Sequence, residues 1–316
     1  MALSNMKVFN DFVLGTVTET IQQQIELFNG ASNNAIQLTA ASNVGDFSRE
    51  TFWQNIVGLQ RRRNAYGSGT VSPVTLNQEQ MTSVKVAGGT PPVLFEPQQL
   101  TWIQKNPEEA GVVIGEQLGR AIVADQLNTA ITALVTCVGQ TTAVVTDAAT
   151  ATLGRATLNT AASKFGDRAA RLNVWLMHSK PMHDLFGENL ANAAQLFSID
   201  QVSVIQDGFG RRMIMTDSPA LTYDDTGTKY NVLGLTQGAV TIEDNGDFFQ
   251  NVETTNGKEN IERTYQCEYT FNVKVKGYSW TSSDKSPNDA ALAAEANWDK
   301  VYSDVKDTAG VLVKVQ

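Results

Sequence analysis

The chain has almost none of the residue types that carry metal or covalent chemistry. In 316 residues it has two cysteines and two histidines. Cys137 and Cys267 are too few for a disulfide framework. Both lie in segments patterned as helix and strand, so buried, reduced thiols are expected. Two cysteines and two histidines leave very little for a metal site, and nothing implies a cofactor. Positive charge is also scarce: 24 Lys and Arg stand against 33 Asp and Glu, for a net charge of -9. That balance argues against a general nucleic-acid-binding surface, which needs clustered Lys and Arg. It suits a surface that must not adhere to nucleic acid. No apolar run approaches the roughly 18 to 20 residues that span a bilayer. The opening "MALSNMKVFNDFVLG" lacks a basic flank followed by an apolar core, so no secretion signal is read and folding in a cytosol is expected.

What is present is an ordinary folding composition, 42% hydrophobic and 18% charged, long enough for two modest cores or one elaborated core. Amphipathic helices are predicted around Val8–Leu27 and Ser48–Leu59, the second with Ser48 as N-cap and Glu50 in its first turn. Then comes "LQRRRNAYGSGTVSPVTLNQEQMTSVKV" (59–86), a triple arginine leading into polar chain. "KVAGGTPPVLFEPQQLTWIQ" follows, whose glycines and prolines argue against helix and central strand. Residues 61–104 therefore read as an extended hairpin or loop, unusually long for a compact domain. A long helix is predicted from Asn106, with Pro107 at its first position and Glu108 and Glu109 complementing the dipole, to about Val135. Val112, Val123, Leu127, Ala130 and Leu134 line one face; Ile114, Leu118 and Ile122 line another. Such a helix is covered from more than one side. Beyond a Thr/Ala-rich link (140–152), a helix stopping at Gly166, the strand "LNVWLMHS" and a helix in "KPMHDLFGENLANAA" are predicted. Two short strands about an Asp-Gly turn follow in "VSVIQDGFGRRMIMTD". The last clear strand, "RTYQCEYTFNVKVKGYSW", places Tyr269, Phe271, Val273 and Val275 on one face. Helices and strands come in segregated stretches, so the class is α+β.

No catalytic constellation survives inspection. "DDTGT" (224–228) contains the Asp-Thr-Gly-Thr string of aspartic proteases, but one copy cannot supply two carboxylates sharing a proton, and its flanks look like a surface turn. His178 and His183 are not an i, i+4 pair on one helix, and Ser179 beside His178 is adjacency rather than a triad. "DGFGRR" and "YGSGTV" read as turns. Arg61, Arg62 and Arg63 stand isolated, with Lys85 the next basic residue. In so acidic a chain they suit ion pairing with acidic surface, their own or a neighbouring copy's.

The order of features resembles the major capsid proteins of tailed bacteriophages, the Hong Kong 97-type fold. "VWLMHSKPMHDL", "IQDGFGRRMIMTDSP" and "GYSWTSSDKSPNDAALAAEANWDKV", with Trp280, Ser286–Pro287, Asn297–Trp298 and the closing "KDTAGVLVKVQ", carry the resemblance across nearly the whole chain. It implies an N-terminal arm (1–60), an extended loop (61–104), a peripheral domain with a spine helix (105–140), an axial domain (141–250), and peripheral strands with a C-terminal segment (251–316). It also implies self-assembly as hexamers and pentamers into an icosahedral head around double-stranded DNA. Other expected partners are a separate scaffolding protein, the portal and a decoration protein, with no membrane. Assembly is expected in the host bacterial cytoplasm, with the virion as destination. The expected intersubunit contacts are Arg61, Arg62, Arg63, Lys85 and Trp102. Deletion of about 68–92 is expected to leave a folded subunit that cannot form shells. The alternatives are a homodimeric aspartic-type hydrolase using Asp225, or another phage structural protein such as a decoration or tail-tube component.

Overall fold

A computed structural model describes residues 3–41, 45–53, 60–186, 194–199, 202–206, 212–256 and 261–316. Along the chain run α1 (Leu3–Ala31), β1 (Ile36–Ala40), β2 (Phe47–Trp53), β3 (Gln78–Gly89), β4 (Val93–Leu94), α2 (Pro97–Lys105) and α3 (Pro107–Gly139). Then come β5 (Val145–Ala148), α4 (Arg155–Ser163), β6 (Leu172–Met177), α5 (Ser179–Phe186), β7 (Ala194–Ile199), β8 (Val202–Gln206), β9 (Arg212–Thr216), β10 (Thr222–Asp224) and β11 (Thr228–Thr236). The remainder is β12 (Val240–Thr255), β13 (Glu262–Val275), β14 (Tyr278–Trp280), α6 (Asp289–Leu292), β15 (Trp298–Lys300) and β16 (Gly310–Val315).

Two sheets organise these elements. The first has the order β1-β12-β13-β3-β2, with β4 also on β13; the second has the order β5-β16-β11-β6-β9-β8-β7, with β10 on β11. The spine helix α3 serves both. Val123, Leu127, Ala130, Ile131 and Leu134 enter the main core with Phe271, Val273, Leu233 and Val313. Ile122, with Ile114 and Leu118 beside it, joins a smaller core with Phe9, Val13, Val17, Ile103 and Tyr265. The two-sided pattern read from the sequence is therefore real, although Val112 is exposed. By length and composition α3 is also apolar enough to cross a membrane, which the sequence reading did not recognise; 72% of that apolar window is buried inside the protein, as befits a core helix.

The N-terminal arm is docked. Phe9, Val13 and Val17 of α1 are each at most 1% exposed, and burying such side chains contributes about 1.5–3 kcal/mol apiece. The two helices run parallel and very close. Gly111, Gly115 and Gly119 of α3 face Phe12, Thr16 and Thr20 of α1, where a Cβ would come within 2.8, 2.9 and 3.0 Å of those residues' Cβ atoms. A glycine every fourth residue is a groove into which a second helix sinks.

Three expectations need correction. The helix placed at Ser48–Leu59 is a strand as far as Trp53 (54–59 lie outside the described residues), paired antiparallel with β3 from Phe47↔Val84 to Trp53↔Gln78. Glu50 is ion-paired with Lys274 two strands away rather than placed in a first helical turn. The segment at 61–104 is without regular pairing only in its first part. It continues into β3, an interior strand carrying the fully buried Val84, and ends in α2. Gly88 and Gly89 do not break this strand but make room: Tyr269 lies opposite Gly88, and a Cβ there would stand 2.5 Å from its ring. Such a cross-strand pairing is invisible in local sequence. Pro97, read as a loop residue, opens α2, where it needs no N–H partner. Finally, the boundary placed at 250 falls inside β12, and the C-terminal segment ends in β16, which pairs with β11 and β5 in the second sheet.

Other expectations stand. Gly166 stops the helical stretch at φ +53. The strand pair β8–β9 forms an antiparallel hairpin whose turn, 207–211, lies outside the described residues. The C-terminal tryptophans meet: Trp280 and Trp298 are paired across β14–β15 with rings 5.1 Å apart at 80°.

Candidate functional site

The residues with catalytic overtones lie in a turn and at the start of a helix. Asp224–Thr228 is the turn between β10 and β11, with Thr226 and Gly227 at positive φ. Asp225 is exposed and accepts a 2.8 Å hydrogen bond from Lys229 Nζ, which holds its carboxyl below the usual range. A surface carboxylate whose charged form is favoured by a lysine is unlike one that shares a proton with a second carboxylate.

His178 and Ser179 prove to have a third companion that the sequence did not disclose. Asp217, just after β9, lies 3.3 Å from His178 Nε2 and accepts the Ser179 backbone N–H at 3.2 Å. Burial alone would raise the Asp217 pKa, but the Ser179 hydroxyl and N–H and the nearby histidines bring it below the ordinary value. The arrangement caps α5 and ties it to β9, while the His178 ring packs 4.9 Å from that of Tyr230.

Both cysteines are buried and free, Cys137 in the main core and Cys267 in the smaller one. Burial pushes the Cys137 thiol well up, away from the reactive thiolate. Among the described residues, no group of three or more His, Cys, Asp or Glu could hold a metal ion.

What remains is surface. Residues 60–77 form neither helix nor strand and are exposed throughout. Tyr66 is 99% exposed, and Val71, Val74 and Leu76 also face solvent. One local turn orders the segment, in which the Gly67 N–H donates to the Asn64 carbonyl and the Tyr66 N–H to Asn64 Oδ1. Arg61, Arg62 and Arg63 are exposed and make no ion pair among the described residues. The other two expected contact residues are engaged at home. Lys85 sits half-buried in β3, 3.7 Å from Asp247, and Trp102 packs beside the smaller core.

Several grooves lie near the α1–α3 pair. One, of about 490 Å³, is lined by Val93, Phe95, Trp102, Val113, Leu118 and Tyr265. Another, of about 510 Å³, runs along the seam of the helices and is lined by Asp11, Phe12, Gly15, Thr16, Glu19 and Val112. Neither was anticipated. The Gly111, Gly115, Gly119 spacing was the sequence signal for the seam.

A helical N-terminal arm docked on a long spine helix, two sheets flanking that helix and an exposed loop are the architecture of a shell-forming protein of the Hong Kong 97 type. The family model described as Major capsid protein 13-like matches residues 5–312, and the chain belongs to that family. Among solved structures it is similar to a chain of the cyanophage Pam1 capsid asymmetric unit, at 10% identity and a TM-score of 0.53, covering 89% of this chain and 88% of that one. It also matches a chain in the capsid of Ralstonia phage GP4, at 10% identity and a TM-score of 0.49, covering 90% and 87%. At such identity the Pam1 likeness speaks for the fold alone. No curated protein matches. The protein is thus a tailed-phage major capsid protein, structural in role and resident in the capsid of the virion, where it self-associates into a shell.

Proposed function

We propose that the protein forms hexamers and pentamers of an icosahedral head enclosing double-stranded DNA, with residues 60–77 lying over an adjacent copy. The carrying observation is that this segment leaves two paired strands and presents Tyr66, Val71, Val74 and Leu76 to solvent. Exposed apolar groups on an extended chain are satisfied by association with another surface, and closed symmetry sums many weak contacts. In this reading β1, β12, β13, β3 and β2 with α1 and α3 form the peripheral part, and the second sheet forms the axial part.

The role is non-enzymatic. A separate scaffolding protein and the portal take part in assembly in the host bacterial cytoplasm, and a decoration protein is a further partner. The net negative charge keeps packaged DNA from adhering to the inner wall.

The test is removal of residues 60–76, joined by a short Gly-Ser link. The expected product is a folded subunit that builds no shells by electron microscopy. Normal shells would sink the loop assignment. Deleting 68–92 is the wrong experiment, because it takes out β3 and Val84 and so destroys the subunit itself.

A further inference from the structure

The acceptor for the three arginines can be read from charge and shape. Several carboxylates elsewhere are already matched with cations. Asp247 has Lys85, Asp225 has Lys229, Asp184 has Lys180, Asp167 has Lys306, and Asp307 has both Arg168 and Arg171. The seam of α1 and α3 differs. These two helices carry seven carboxylates against Lys7 and Arg120 alone. Asp11 and Glu19 stand on the α1 wall of the groove. Val112 lies on its α3 side, and Glu108 and Glu116, one turn before and one turn after Val112, continue that stripe. Glu116 is paired with Arg120, whereas Asp11, Glu19 and Glu108 make no ion pair among the described residues. The floor is apolar and open, with Phe12 at 40% and Val112 at 42% exposure. The glycine ladder sets this geometry, since helices separated by ordinary side chains would hold the two acidic rows further apart.

We propose that this acidic seam receives Arg61–Arg62–Arg63 of a second copy, with Tyr66 laid on the Phe12–Val112 floor. The inference rests on the loop reading above and names its docking site. Donor and acceptor are different patches of one chain, so the contact is heterologous and propagates around a ring. Three guanidiniums against a groove with a surplus of carboxylates fix register and exclude wrong pairings, and the contact is sensitive to salt.

The probe is a dye-labelled peptide of residues 60–76, titrated by fluorescence anisotropy against the full-length protein and against a full-length Asp11→Lys/Glu108→Lys/Glu116→Lys variant. The wild type is expected to bind, more weakly as salt rises, and the variant to lose roughly tenfold or more in affinity. A peptide carrying Arg61→Glu/Arg62→Glu/Arg63→Glu should show the reverse order, preferring the variant. This swap guards against a variant that merely misfolds, because a misfolded groove rescues nothing. Equal binding of the native peptide to both proteins, or no recovery in the swap, overturns the assignment. If that happens while the protein lacking 60–76 still fails to build shells, the loop reading stands and its docking site is elsewhere. If the protein lacking 60–76 builds shells, the loop reading itself has failed.

Discussion

Replacing glycine by alanine at two positions should have opposite effects, and the sign tests how closely α1 and α3 approach. Gly15 is in α1 and exposed, with no atom within 4 Å of the Cβ it would gain. Only helix propensity acts there, so Gly15→Ala should stabilise by about 1 kcal/mol. Gly115 in α3 gains the same propensity, but its Cβ would lie 2.9 Å from Thr16 Cβ and 3.0 Å from the Val13 carbonyl oxygen. A Cβ and a backbone oxygen cannot rotate aside, so the helices must separate. Overpacking of this kind costs about 1–3 kcal/mol, which outweighs the propensity gain and leaves a net loss of up to about 2 kcal/mol. The two variants should therefore differ by about 1–3 kcal/mol, several degrees in midpoint at roughly 2 °C per kcal/mol for a chain this long. Thermal or urea unfolding is best followed on unassembled subunits lacking 60–76, where assembly cannot add apparent stability. The triple change Gly111→Ala/Gly115→Ala/Gly119→Ala should lose more than Gly115→Ala alone. If Gly115→Ala stabilises as much as Gly15→Ala, the close packing of arm and spine is wrong.

Burial raises the Tyr278 hydroxyl to about 12, while it stays 2.9 Å from Thr141 Oγ1. Its contribution to stability is full below the ordinary tyrosine value near 10 and is lost as pH rises through about 12. Tyr278→Phe should therefore lower stability near neutrality by about 1 kcal/mol and flatten the alkaline decline, as read by unfolding midpoints from pH 7 to 12. An unchanged alkaline slope would refute this. Trp298, 3% exposed, donates its Nε1–H to the Leu292 carbonyl at 3.0 Å. Trp298→Phe should cost about 1–3 kcal/mol by orphaning that carbonyl and leaving a void beside Trp280, measured by urea denaturation. Asp225→Asn removes an ion pair that is exposed at Asp225 and 12% exposed at Lys229. It should lower the unfolding midpoint only slightly and leave shell assembly unchanged, whereas a measurable hydrolytic activity abolished by it would revive the hydrolase.

The sequence alone determined the elements whose signals are local. The spine helix begins at Pro107, where the Asn-Pro-Glu-Glu start placed it, since proline placement and dipole charge act within one turn, although Asn106 makes no side-chain cap hydrogen bond. The alternation of β13 and the turn at Asp224–Thr228 were legible for the same reason, as were the buried thiols and the exposed arginines. Tertiary structure decided what depends on distant partners. Residues 48–53 have a respectable helix start, yet β3 offers them a hydrogen-bond ladder and Lys274 offers Glu50 a charge, and a strand results. Gly88 looks like a breaker until Tyr269, 181 positions away, fills the space a side chain would need. Asp217 reaches His178 and Ser179, and the acidic rows of α1 and α3 lie side by side, only because strands and helices remote in sequence pack together. Periodicity reports which face of an element is apolar. What covers that face is settled by long-range contacts, whose energies appear only once the chain has closed on itself.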